Sequence, residues 1–138
     1  MVSDFSPYRH IGTVAGSDYY TVDPDIVLLV PQTTMVDTPE TAQANADFLT
    51  AYARKLGKKC ATLVIMSNIL SQDAETRRIY RELGENGHFF GVALIVDSPL
   101  SRALGSFFIG LSKPKIPIKL FDTIERSIEW IRSVRPKP

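Results

Sequence analysis

The sequence predicts an α/β fold: a mixed, mostly parallel sheet of about five strands with an N-terminal antiparallel hairpin and about four helices. Three observations predict it. Short apolar, β-branched runs at 26–30 (IVLLV), 60–66 (CATLVIM) and 92–96 (VALIV) suit strands buried on both faces. Segments of helical periodicity separate those runs. Strand and helix signals then alternate to the end of the chain, which calls for parallel pairing through right-handed crossovers.

Each element has its own signal. Residues 1–13 are weakly patterned, with Phe5, Tyr8 and Ile11 as anchors, and 1–17 is expected to be a loosely ordered lead-in to a single domain spanning 1–138. Tyr19-Tyr20-Thr21-Val22 is aromatic and β-branched, hence a strand. Asp23-Pro24-Asp25 turns the chain into the strand at 26–30, which makes a hairpin. Thr38-Pro39-Glu40 starts a helix with a cap, a first-turn proline and an acid near the positive end of the dipole. Ala42, Ala46, Leu49, Ala53 and Leu56 carry its apolar stripe, and Gly57 closes it. After the strand at 60–66, residues 67–71 read as a loop and 73–83 as a helix through Thr76, Ile79, Tyr80 and Leu83.

The stretch 92–130 organises the rest. A strand at 89–96 is stopped by Asp97-Ser98-Pro99, where Ser98 caps a helix and Pro99 fits its first turn. Leu100, Ala103, Leu104, Phe107, Phe108 and Leu111 form one apolar stripe, expected to cover the sheet. The opposite face, Ser101, Arg102, Gly105, Ser106 and Gly110, is small and poorly charged. The prolines of KPKIP end the helix. A short strand at 118–121 follows. Asp122 and Glu125 have capping-box spacing, and Ile124, Ile128 and Ile131 mark a last helix.

The composition is that of one globular domain: 138 residues, 44% hydrophobic, 22% charged, net charge +1. The apolar runs are too short for a membrane span, and the first residues lack a secretory pattern. The single cysteine, Cys60, cannot form an internal disulfide. These features lead to an expected cytoplasmic location. The charges are unevenly distributed. Residues 1–53 hold seven acids and one base, whereas 54–138 hold fifteen bases and eight acids. Such a split can orient a partner or drive a homodimer, or it is simply a solvated surface. It is not a nucleic-acid footprint.

The element order, together with the tail SPLSRALGSFFIGLSKPKIPIKLF…SIEWI, resembles the small SpoIIAA-like proteins of the STAS superfamily. The architecture is similar over 19–132, and the specific likeness lies in 97–121 plus Glu129-Trp130. The resemblance implies a non-enzymatic regulatory or binding module. Anti-sigma antagonists of this kind bind a kinase partner and are switched by phosphorylation of a serine at the start of the helix after the central strand. The matching region here is MSNILSQD, 66–73. Asp73 stands at the phosphoacceptor position, Ser71 lies two residues earlier, and the usual Asp-Ser-Ser-Gly signature is missing. SpoIIAA-like folds also resemble lipid-carrier CRAL-TRIO domains, which adds an apolar ligand or a membrane surface to the expected partners.

The residues themselves offer three candidate surfaces. Ser98, Ser101 and Arg102 surround a helix N-terminus at the carboxyl end of a buried strand, where free amides can hold an anion, with Arg77 or Lys113 adding charge. The plainer reading is a helix cap. Ser67, Asn68 and Ser71 follow the neighbouring strand and either line the same edge or satisfy backbone groups. Phe107 and Phe108, flanked by Lys113 and Lys115, suit a membrane or partner surface, against the plainer reading of a core helix.

No catalytic residue or metal site is expected. His10 and His88 lack ligand spacing. A serine triad from Ser98, His88 and Asp97 lacks the Gly-x-Ser-x-Gly elbow and has poor geometry. No glycine loop for phosphate occurs, so no cofactor is expected. The sequence leaves three functions in order: a binding module for a protein partner or a small apolar or anionic ligand, a peripheral lipid- or membrane-associating protein, and last a serine hydrolase.

Overall fold

A computed structural model describes residues 5–112 and 115–137. Its main sheet has six strands in the order β1-β2-β3-β5-β7-β8. β1 (Arg9–Val14), β2 (Ser17–Asp23) and β3 (Ile26–Pro31) form an antiparallel meander. β5 (Cys60–Ile65), β7 (Phe89–Ile95) and β8 (Ile118–Phe121) continue it in parallel. A second, two-stranded parallel sheet pairs β4 (Met35–Asp37) with β6 (Ile69–Gln72) beyond the carboxyl ends of β3 and β5. The mixed, mostly parallel α/β architecture is the expected one.

The helices are α1 (Pro39–Leu56), α2 (Ala74–Glu85), α3 (Pro99–Ser112) and α4 (Ile124–Ser133). α4 covers one face of the sheet, where Ile124 and Ile131 meet Ile26, Leu28, Ala61, Leu63, Ala93 and Ile95. The other face is covered by α1 through Leu49 and Ala53, by α2 through Tyr80, and by α3 through Leu104 and Ile109. β7 lies between β5 and β8 and five of its seven side chains are apolar and buried, each worth ~1.5–3 kcal/mol for a large residue.

The local chemistry of the helix ends is largely as read. Thr38 caps α1 and accepts from the Thr41 amide at 3.2 Å. Gly57 ends α1 at φ 78°, a left-handed conformation that favours glycine.

Four expectations are corrected. The lead-in contains an edge strand, β1, joined to β2 by a turn in which Ala15 and Gly16 both have positive φ. Its Arg9, His10 and Thr13 are exposed and a register shift lies between His10 and Gly12, so alternation is broken. Residues 67–71 are not a loop: a 3-10 turn, Met66–Asn68, leads into β6. The cap of α4 is Thr123, which accepts from the Arg126 amide at 3.2 Å, while Asp122 pairs with the Arg126 guanidinium at 3.2 Å.

α3 is also seated differently. Leu100 is 54% exposed and Ala103 is exposed, whereas Ser101 and Gly105 are buried. A Cβ at Gly105 would lie 2.7 Å from Leu120 Cδ2, so the small residues allow the close approach of helix to sheet. Part of the apolar stripe therefore faces outward.

Candidate functional site

The parallel pairing of β4 with β6 sets Asp37 opposite Gln72. Asp37 is 3% exposed, and its carboxylate accepts from Thr41 Oγ1 at 2.5 Å and from Gln72 Nε2 at 2.9 Å. Thr41 is in the first turn of α1, so the helix start is tied to the small sheet. Among the described residues no Lys or Arg pairs with Asp37. A carboxylate only accepts, so Gln72 must present its NH2 to Asp37. That leaves Gln72 Oε1 buried, with no hydrogen-bond partner among the described residues.

One turn further along α1, Asn45 is 1% exposed. The hydroxyl of Tyr19, from β2, donates to Asn45 Oδ1. Asn45 Nδ2 donates to the hydroxyl of Tyr80, on α2, at 3.2 Å. The order of donors is thus set from Tyr19 to Tyr80, and the Tyr80 hydroxyl in turn donates to the Asp37 carboxylate. Burial first, then the Asp37 charge, raises both phenols far above the ordinary tyrosine value, so both stay protonated. The Tyr19 ring is held by Phe48, with centroids 4.3 Å apart.

Asp37, Asn45, Gln72 and Tyr80 line one end of a cavity of about 80 Å³ between α1, α2 and the sheet. Its walls are apolar: Leu29, Leu49, Val64, Met66, Leu83, Phe89, Val92, Leu94 and Ile118. α2 runs from the carboxyl edge of the sheet to the amino edge, and the cavity follows it. At the amino end Arg81, Glu85 and Lys115 line it, and Glu85 and Lys115 are exposed there. The described lining includes no α3 side chain.

The residues singled out in the sequence have other placements. Ser98 and Ser101 cap each other: the Ser101 amide donates to Ser98 Oγ at 3.1 Å, the Ser98 amide donates to Ser101 Oγ at 3.1 Å, and the two hydroxyls are 3.0 Å apart. The Asp97 amide also donates to Ser101 Oγ, at 3.1 Å. Arg102 is exposed beside them. Ser67 and Asn68 reach the same carboxyl edge, where the 3-10 turn packs on α3. Asn68 Nδ2 donates to the Pro31 carbonyl at 2.7 Å, and Ser67 Oγ is buried without a partner among the described residues. Ser71 is exposed on β6 and Asp73 is the cap of α2. Lys115 is exposed at the cavity's amino end. Lys113 and the side chains of Phe107 and Phe108 lie outside the described residues.

Asp37, Asn45 and Gln72 escaped the sequence reading, and Tyr19 and Tyr80 were read only as strand and helix formers. One signal was available. Asn45 interrupts the apolar stripe of α1 three residues after Ala42 and four before Leu49, a polar residue on a face that must be buried. Cys60 is buried at the start of β5, and burial first, then Asp25, pushes its thiol up to about 11, so it is a packing residue rather than a nucleophile.

Six strands, meander then parallel, with three helices on one face and one on the other define a SpoIIAA-like α/β protein. The structure is similar to that of an uncharacterised protein of the DUF3478 family from Shewanella loihica PV-4, described as having a SpoIIAA-like fold. The two share 14% identity, with 94% of this chain and 98% of that chain covered at a TM-score of 0.58. The chain itself belongs to the family defined by a domain of unknown function, DUF7793, whose model matches residues 21–135. No curated protein matches it. No helix among the described residues is long and apolar enough to cross a membrane.

Proposed function

We propose that this protein is a non-enzymatic binding module whose ligand is a small, largely apolar molecule held between α1, α2 and the sheet. The observation that carries this reading is the cavity itself: apolar walls along its length, with an ordered set of buried polar groups at one end. That combination orients a ligand, the walls supplying affinity and the polar end supplying direction. The volume of about 80 Å³ bounds the ligand to a handful of non-hydrogen atoms or the end of a longer chain reaching in from the Glu85–Lys115 side. The serines nearest a helix N-terminus are satisfied by one another, which favours capping over catalysis at Ser98.

The test is to fill the cavity. Val92 lines it from β7. The parent protein should gain thermal stability from small apolar alcohols, and Val92→Phe should lose that gain while still melting cooperatively. A parent protein indifferent to every such probe contradicts the proposal.

A second reading, peripheral contact with a membrane through α3, has one observation behind it: Leu100 is exposed on a helix whose apolar stripe is only partly turned inward. Sedimentation with anionic vesicles, comparing the parent with Leu100→Ser, tests it. Equal binding by the two, or none by the parent, removes it.

A further inference from the structure

Resting on the cavity reading above, we infer that the ligand is a single-chain amphiphile with an anionic head group, its alkyl end filling the cavity and its head held at the Arg81–Lys115 rim. The closed end gives the first reason. Asp37 accepts from Thr41, Gln72 and Tyr80, and Tyr80 in turn receives the Asn45 amide. The Gln72 NH2 is held by Asp37, and Gln72 Oε1 is buried without accessible surface. These groups answer one another, so a head group seated among them would lose its water without a matching return. An anion there would also meet the buried Asp37 carboxylate. The interior therefore receives the hydrocarbon end and directs the head to the opposite one. A volume of about 80 Å³ admits one such chain end rather than two.

The rim gives the second reason. Arg81 and Glu85, one turn apart on α2, and Lys115, ahead of β8, line the amino end. None of the three makes an ion pair among the described residues. On the same helix Arg78 holds both Glu75 and Glu82, which leaves Arg81 uncompensated by them. The two cations outnumber the one acid, so the rim is net positive. Arg81 is half-buried and Lys115 exposed, an arrangement that sets charge where the apolar wall meets water. An anion at this rim keeps part of its hydration and gains two cations, whereas a cation there is opposed by both.

The experiment uses the full chain at neutral pH and low salt with three probes of one tail: hexanol, hexanoate and hexylammonium. Affinities are read from methyl shifts in NMR titrations. Hexanol reports on the cavity, and the two ions differ in the sign of the head. Hexanoate should bind at least about fivefold more tightly than hexylammonium, and added salt should narrow the ratio. Acetate, the head without the tail, should move no cavity methyl. Arg81→Gln with Lys115→Gln should bring the two ions to within about twofold of each other. If that double variant does not fold, Lys115→Gln alone, at an exposed position, should still reduce the ratio. If hexanol binds the parent but hexanoate lacks that advantage, or the advantage survives in the folded variant, the anionic head is overturned and the cavity remains a binding site. If hexanol and both ions leave the cavity methyls unmoved, the cavity reading itself falls and the head-group assignment with it.

Discussion

Gln72 donates from Nε2 to Asp37 Oδ2 at 2.9 Å, across the parallel pairing of β4 with β6. This contact joins two segments 35 residues apart in the chain and places a buried carboxylate at the mouth of α1. Removing it with Asp37→Ala strips an acceptor from Thr41 and from Gln72 together. The expected loss is ~1–3 kcal/mol in urea denaturation, with the m-value unchanged. A loss within experimental error would mean that Asp37 is solvated rather than built into the fold.

The Tyr19–Asn45–Tyr80 chain should behave as one unit. Tyr19→Phe leaves Asn45 Oδ1 buried without its donor, and a destabilisation of ~1–2 kcal/mol is expected. Asn45→Ala should cost more, because it removes both the acceptor of Tyr19 and a donor to Tyr80. In the double variant the losses should fall short of their sum by ~0.5 kcal/mol or more, measured by equilibrium unfolding. Strict additivity would separate the two residues.

The seating of α3 rests on Gly105. Its position leaves no room for a side chain, with Leu120 Cδ2 at 2.7 Å and Val96 Cγ1 at 3.6 Å from where a Cβ would stand. Leu120 can yield at its tip, so alanine is a mild test, whereas Gly105→Val also crowds Val96 and should destabilise by ~1–3 kcal/mol despite removing a helix glycine. Leu100→Ser, on the exposed side, should shift the melting temperature little. The reverse pattern would show that the apolar stripe, not the small face, lies on the sheet.

Stability should fall in acid through a defined cluster. Asp23 accepts from Arg132 at 2.8 and 3.0 Å and from Arg135 at 2.6 Å, and Arg135 also reaches Asp25 at 2.9 Å. The Arg132 hydrogen bonds first, opposed by partial burial and aided by Arg135, hold the Asp23 carboxyl down to about 2 from its ordinary 3.8. A carboxyl whose folded value is depressed stabilises the fold above its unfolded value and loses that contribution as pH falls toward the folded one. The stability gap between the parent and Asp23→Asn should therefore be constant at neutral pH and close between about pH 4 and pH 2. The gap should be modest, ~1 kcal/mol, because the arginines are solvent-facing. A gap that persists below pH 2 would assign the effect to packing.

The sheet was legible where burial writes itself into composition. The runs at β3, β5 and β7 are apolar because both faces are covered, and no alternation is needed to see them. β1 was not, because an exposed edge strand with a bulge and a turn built on Ala15-Gly16 carries neither periodicity nor a strong turn pair. β4 and β6 are three and four residues long, below the length at which a pattern can repeat. α3 misled because a helix with apolar residues on one side and glycine on the other can seat either way, and the closer approach offered by Gly105 decides. The polar end of the cavity was least legible. Asp37, Gln72 and Tyr80 lie on three elements, and only the pairing of the two shortest strands brings the first two together.

The central claim is that the space between α1, α2 and the sheet receives a small apolar ligand. A titration of methyl-labelled protein with 1-butanol tests it most directly. The methyl signals of Leu29, Val64, Leu83, Val92, Leu94 and Ile118, all on the cavity wall, should move together along one saturable curve. Those of Ile26, Leu63 and Ile131, on the α4 side of the sheet, should stay in place. Shifts scattered over exposed residues such as Val36 and Leu70, or none at the cavity wall, would contradict it.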